Sequence, residues 1–175
     1  MISKNISYKE ATLSTTAKRL GIDNTPNAEE MSNMRHVAEN VFQPVREHFD
    51  TPIYVSSFYR SEALNKAIGG AYRVVNGVYV ATSQHCKGEA ADLDRDHSNA
   101  PNNAEVFHYI KDNLRFDQLI WEYGNSEQPD WVHVSWNARG NQRNKVLRAT
   151  KIGKKTTYTL MTYCLSDLGE KDNML

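Results

Sequence analysis

Apolar residues recur at helical spacing through Met31, Met34, Val37, Ala38, Val41, Phe42 and Val45. That stripe predicts one long amphipathic helix, entered at Asn27 and ending near Phe49. Pro44 lies inside it and removes a backbone donor, so a kink or a split last turn is expected there. Upstream, Ser7 with Glu10 offers a capping box, and Ser14 is an equally good start for a short helix that Gly21 ends. Either start turns Ala17 and Leu20 inward. A second stripe, Val106, Phe107, Ile110 and Leu114, predicts a helix over residues 103–114.

Period-two and β-branched segments fill most of what remains. IYVSSF at 53–58 reads as a strand, followed by a short helix from Ser61 to Ile68 that Gly69 and Gly70 stop. In RVVNGVYVA, Asn76-Gly77 separates two β-branched runs and predicts a hairpin with a type I′ turn that leads into His85. FDQLIWEY, WVHVSW and TTYTLMTY supply the later strands. Helices come first and strands mainly afterwards, which is an α+β order with helices on one face of a largely antiparallel sheet. Residues 1–165 read as a single domain and 166–175 as a flexible C-terminal tail, with no internal repeat between them.

Bulk composition narrows the function classes. A chain of 175 residues is long enough for one sizeable core. Its 21 Lys and Arg balance 21 Asp and Glu, so no overall field would hold it on nucleic acid or an anionic membrane. Cys86 and Cys164 are too few for a disulfide framework and fit a reducing compartment. The first residues lack the apolar run of a secretory signal, and no run approaches a membrane-spanning length. Synthesis in the cytoplasm, a monomeric state and no membrane insertion are the corresponding expectations.

Chemistry concentrates in Ser83-Gln84-His85-Cys86-Lys87-Gly88-Glu89-Ala90-Ala91-Asp92. An imidazole and a carboxylate flank a glycine turn and two small residues that permit close packing. His133 belongs to Trp131-Val132-His133-Val134-Ser135, where alternation sends Val132 and Val134 to the core and Trp131, His133 and Ser135 to the other face. Three nitrogen and oxygen ligands, with a fourth position left to water, describe a catalytic zinc site rather than a structural one. Asp130, placed by Pro129 at the mouth of that strand, is the candidate general base.

Other features have competing readings. Cys86 neighbours a ligand but reads as a buried small hydrophobe, not a fourth ligand. Asp94, Asp96, Ser98, Asn102 and Glu105 match calcium-loop positions, although Asn99 replaces the glycine, and a polar loop that caps the following helix is the alternative. Seven Lys or Arg and no acid lie between Arg139 and Lys155, read as a solvated strand edge ahead of a patch for an anionic polymer. Glu122 reads as structural.

SQHCKGEAAD resembles the SxHxxGxAxD motif of the M15 peptidases, the D-alanyl-D-alanine peptidases, and Asp130 to His133 resembles their acidic-xx-His motif. Upstream, Tyr59-Arg60-Ser61 within SSFYRSEALN looks like the arginine motif of the same family. The similarity spans roughly residues 14 to 150, close to one domain of ordinary size. It implies His85, Asp92 and His133 as zinc ligands, Asp130 as base and proton shuttle, and Arg60 steadying the substrate carbonyl or its oxyanion. Ser83 and Trp131 would line the substrate pocket. The implied fold is the zinc-containing α+β fold shared with the Hedgehog signalling domain, and the implied substrate is a peptidoglycan stem peptide. A phage endolysin fits that set. A zinc-containing wall-binding module without turnover, or a phage structural accessory, is the alternative class. Two departures stand out: many relatives carry glutamate at the Asp130 position, and the Asn76-Gly77 hairpin looks like an insertion that could wall the cleft.

Overall fold

The computed structural model describes residues 1–95, 101–153 and 155–161. Both N-terminal starts are used. Ser7 and Glu10 form a reciprocal capping box on α1 (Tyr8–Thr12), and Ser14 caps α2 (Thr15–Leu20), which Gly21 ends in the left-handed conformation. Ala17 is buried, whereas Leu20 is 53% exposed. The inward placement expected for Leu20 is therefore wrong, because a helix this short presents only a narrow face to the core.

The long stripe forms α3 (Ala28–Val37) and α4 (Gln43–Phe49), joined without a break by a π-helical turn over Ala38–Phe42. Asn27 and Glu30 build its capping box. Pro44 stands in the first turn of α4, where the wider preceding turn accommodates the ring and the missing donor. Met34, Val37, Ala38, Val41, Phe42 and Val45 are all buried.

Six strands make the main sheet: β1 (Tyr54–Ser57), β4 (Ala90–Asp94), β5 (Gln118–Glu122), β6 (Trp131–Ser135), β7 (Lys145–Ile152) and β8 (Lys155–Leu160). Their spatial order is β1-β4-β6-β5-β7-β8, antiparallel except for the parallel β5–β7 pair. Between β1 and β4 lie α5 (Glu62–Ala67), capped by Ser61, and a separate hairpin of β2 (Tyr72–Val75) and β3 (Val78–Ala81). Asn76 and Gly77 both have positive φ, 50° and 78°, as a type I′ turn requires. The hairpin leans on α5, with the Asn65 amide donating to the Tyr79 hydroxyl at 2.7 Å.

One face of the sheet carries Ala91, Leu93, Leu119, Trp121, Val132, Val134 and Val146 into a single core with α3, α4 and α6 (Asn103–Asn113). This is the α+β arrangement the element order predicts. Alternation sends the neighbouring residues, Asp92, His133, Ile120 and Glu122, to the opposite face. There Ile120, Leu147 and Ala149 form a second, smaller cluster under Tyr123.

The basic segment is not a sheet edge: β7 lies between β5 and β8. Its three arginines are held locally instead. Arg143 makes two hydrogen bonds to the Asp117 carboxylate at 2.7 and 2.6 Å, Arg148 donates to the Asn125 carbonyl, and Arg139 pairs with Glu29. The proposed calcium loop falls partly outside the described residues, which exclude Asp96 and Ser98. Asn102 and Glu105 form the reciprocal cap of α6, the competing reading for those two. Residues 166–175 also lie outside the described residues.

Candidate metal centre

Asp92 and His133 are direct cross-strand partners on β4 and β6, so sheet register alone brings them together. Their side chains meet at 2.9 Å, His133 Nδ1 to Asp92 Oδ1. His85 arrives from outside the sheet. It sits on a 3₁₀ turn, Gln84–Lys87, rather than on the strand that its place after the hairpin suggested.

That turn is held on several sides. Gly88 closes it with φ +69°, and a Cβ at this position would stand 2.3 Å from the Glu30 carbonyl oxygen. Only glycine meets both demands. The Asn33 amide donates to the Lys87 carbonyl at 2.8 Å, tying the turn to α3. His85 itself is 3% exposed, and its Nδ1 lies 2.7 Å from the Phe58 carbonyl oxygen. A carbonyl can only accept, so Nδ1 carries the hydrogen and Nε2 presents its lone pair to the site.

His85 Nε2 lies 3.2 Å from His133 Nδ1 and 3.2 Å from Asp92 Oδ1. With the 2.9 Å His133–Asp92 contact, these atoms form a nearly equilateral triangle. Tetrahedral zinc with bonds of about 2.0–2.1 Å separates its ligand atoms by about 3.3 Å. The triangle thus fits one small divalent cation with little movement. Three electron-rich atoms this close repel one another unless a proton or a cation lies among them. Burial by itself would raise the Asp92 pKa, but the two imidazoles outweigh it and hold the carboxyl well below the usual range.

Arg60 stands behind the triangle. Its guanidinium lies 3.9 Å from Asp92 Oδ2, donates to Ser57 Oγ at 3.3 Å and reaches Asn65 Oδ1 at 3.5 Å. It therefore braces the outer oxygen of a ligand, a position compatible with a further hydrogen bond to a bound carbonyl. Ser83 precedes the 3₁₀ turn without capping it, and Trp131 is half-buried against Tyr123, ring centroids 5.3 Å apart. Cys86 is a half-buried free thiol whose pKa burial pushes up to about 11, and it is not among the clustered ligands.

Asp130 is exposed at the entry to β6. Its N–H donates to the Glu122 carbonyl at 2.9 Å, and its own carbonyl accepts from Asn103. Glu122, set aside as structural on sequence, is 6% exposed and lies on the face that carries His133. Burial pushes its pKa up to about 7, against a lowering influence of His133 and a further raising influence of Asp92. The signal available in the sequence was a lone acid closing the apolar run Leu119-Ile120-Trp121.

A family model described as Peptidase M15 matches residues 4–135. The chain belongs to the M15 peptidase family. The match covers most of the domain and includes all three clustered residues of this M15 peptidase. A search of curated proteins found no match to the chain. Membership makes the His85–Asp92–His133 cluster the candidate metal centre of a metallopeptidase. Among the described residues, no helix of this M15 peptidase is long and apolar enough to cross a membrane.

Proposed function

We propose that the protein is a zinc-dependent peptidase that hydrolyses bonds involving D-amino acids in peptidoglycan stem peptides. The observation that carries the metal part of this reading is the buried triangle of His85 Nε2, Asp92 Oδ1 and His133 Nδ1, whose edges suit one tetrahedral cation. Bound there, zinc would supply a Lewis acid that polarises the scissile carbonyl and makes water a usable nucleophile at neutral pH.

The chain's own groups divide the remaining tasks. Phe58 and Arg60 orient two ligands, His85 and Asp92, and so hold the cage in one geometry. Arg60 also brings a positive charge to the Asp92 side of the cage and would stabilise the developing oxyanion. Trp131 and Ser83 would contact the substrate. The proton acceptor is one of two carboxylates beside β6: Asp130, named by the motif, or Glu122, opposite Trp131 in the ladder. The substrate class rests on the resemblance of SQHCKGEAAD and the arginine and acidic-xx-His motifs to enzymes that cut D-alanyl bonds.

A phage-type wall-degrading enzyme fits this reading. Digesting purified peptidoglycan and identifying the products by mass spectrometry, with and without a chelator, tests the whole reading. Chelator-sensitive new termini at a D-residue are expected. Identical fragments in both samples would sink the metal mechanism, and no new termini would favour a binding module.

A further inference from the structure

Glu122 Oε2 is the one buried side-chain oxygen or nitrogen without a hydrogen-bond partner among the described residues. An orphaned, buried carboxylate is costly, and a fold retains one only where something else compensates. Its place in the sheet indicates what that is. Glu122 pairs with Trp131, and Ile120 pairs with His133, so Glu122 is the diagonal same-face neighbour of a metal ligand. Ala149 on β7 lies opposite it on the other side.

We propose that Glu122, not Asp130, is the catalytic carboxylate that takes the proton of the attacking water in this site. The proposal rests on the hydrolase reading above. Oε2 accepts a proton as one O–H bond of water breaks and the oxygen adds to the scissile carbonyl. The same proton then passes to the leaving nitrogen as the C–N bond breaks. One water is consumed, a carboxylic acid and an amine are formed, which become carboxylate and ammonium as the acid's proton moves to the amine, and Glu122 returns to its ionised state.

Surroundings favour Glu122 over its competitor. A base gains strength from removal of water, and Glu122 is buried whereas Asp130 is exposed at the strand entry. Glu122 also lies within the electrostatic reach of His133 and Asp92. The other titratable groups around it are Tyr123 at the end of its own strand, Tyr158 from β8 and Lys151 from β7, whose ammonium stands over the Tyr123 ring.

Cobalt-loaded protein supplies a readout independent of turnover, because its visible spectrum follows ionisations next to the metal. Parent, Glu122→Gln and Asp130→Asn are each loaded with one Co²⁺ and titrated, and the zinc forms are assayed on stem peptides. Glu122→Gln is expected to move the spectral transition by at least about one pH unit. It should also lower kcat by about 10²-fold or more with little change in KM. Asp130→Asn should lose at least tenfold less turnover and leave the transition in place. The reverse ranking overturns the proposal. If no form, parent included, cleaves any peptide, the hydrolase reading fails and the spectrum alone decides: a Glu122→Gln transition that matches the parent overturns the assignment. Should Glu122→Gln not fold, Glu122→Ala with added formate takes its place, and formate that restores neither hydrolysis nor the transition counts against the proposal.

Discussion

The Nδ1 hydrogen of His85 is held by the Phe58 carbonyl oxygen at 2.7 Å, which fixes the ring so that Nε2 faces Asp92 and His133. A backbone acceptor cannot be removed by substitution at position 58, so this orientation survives side-chain changes there. The ligand itself is the sensitive point.

Asp92→Asn and His85→Ala should each lower zinc affinity by more than about 100-fold, since loss of a mere outer partner of a ligand costs about 10- to 100-fold. Competition against a chromogenic chelator measures this directly. Stoichiometric zinc in both variants at parent affinity would place the metal elsewhere.

Arg60 touches the outer oxygen of Asp92 through a partly buried guanidinium. Arg60→Ala should therefore weaken zinc binding by about tenfold or more, in addition to any loss of turnover. Arg60→Lys keeps the charge but not the planar fork that spans Ser57, Asn65 and Asp92, and should rescue only in part. Unchanged zinc affinity in Arg60→Ala would confine this residue to the substrate.

Glu122 gives a pH-dependent stability of known sign. Its folded pKa of about 7 lies above the ordinary glutamate value. Its neutral form therefore contributes stability that is fully present below the unfolded pKa and is lost as pH rises through about 7. In chelator-treated protein, Glu122→Gln should match the parent near pH 4 and exceed it above pH 7 by on the order of 3 kcal/mol. Denaturant titrations at the two pH values check it, and a parent that gains on the variant as pH rises would contradict the burial argument.

Gly88→Ala meets a positive φ and a contact with Glu30 backbone together. A loss of at least about 2 kcal/mol in unfolding free energy is expected, with zinc affinity reduced because His85 rides on the same turn. A variant as stable as the parent would show that α3 and the turn can separate at little cost.

Much of the fold was legible because its determinants are local. The Met31-to-Val45 stripe, the Asn76-Gly77 turn and the alternation around His133 each operate within one turn or a few strand residues. The candidate ligands were legible for the same reason, as their types and spacing lie in two short motifs. Leu20 was misread because an apolar residue at helical spacing faces inward only if something packs there. The charged segment around β7 was misread as an edge because strand order depends on the later pairing with β8.

By itself the sequence determined the element types, the two apolar stripes and the identity of the three groups available to a metal, since spacing and side-chain chemistry are properties of the local chain. Tertiary structure alone decided that Asp92 would stand opposite His133, that a 3₁₀ turn would deliver His85 to them, and that the Glu122 carboxylate would be buried beside them without a partner. Those outcomes depend on strand order and register, which arise from contacts between residues 27 to 48 positions apart and so leave no mark at any one place in the chain.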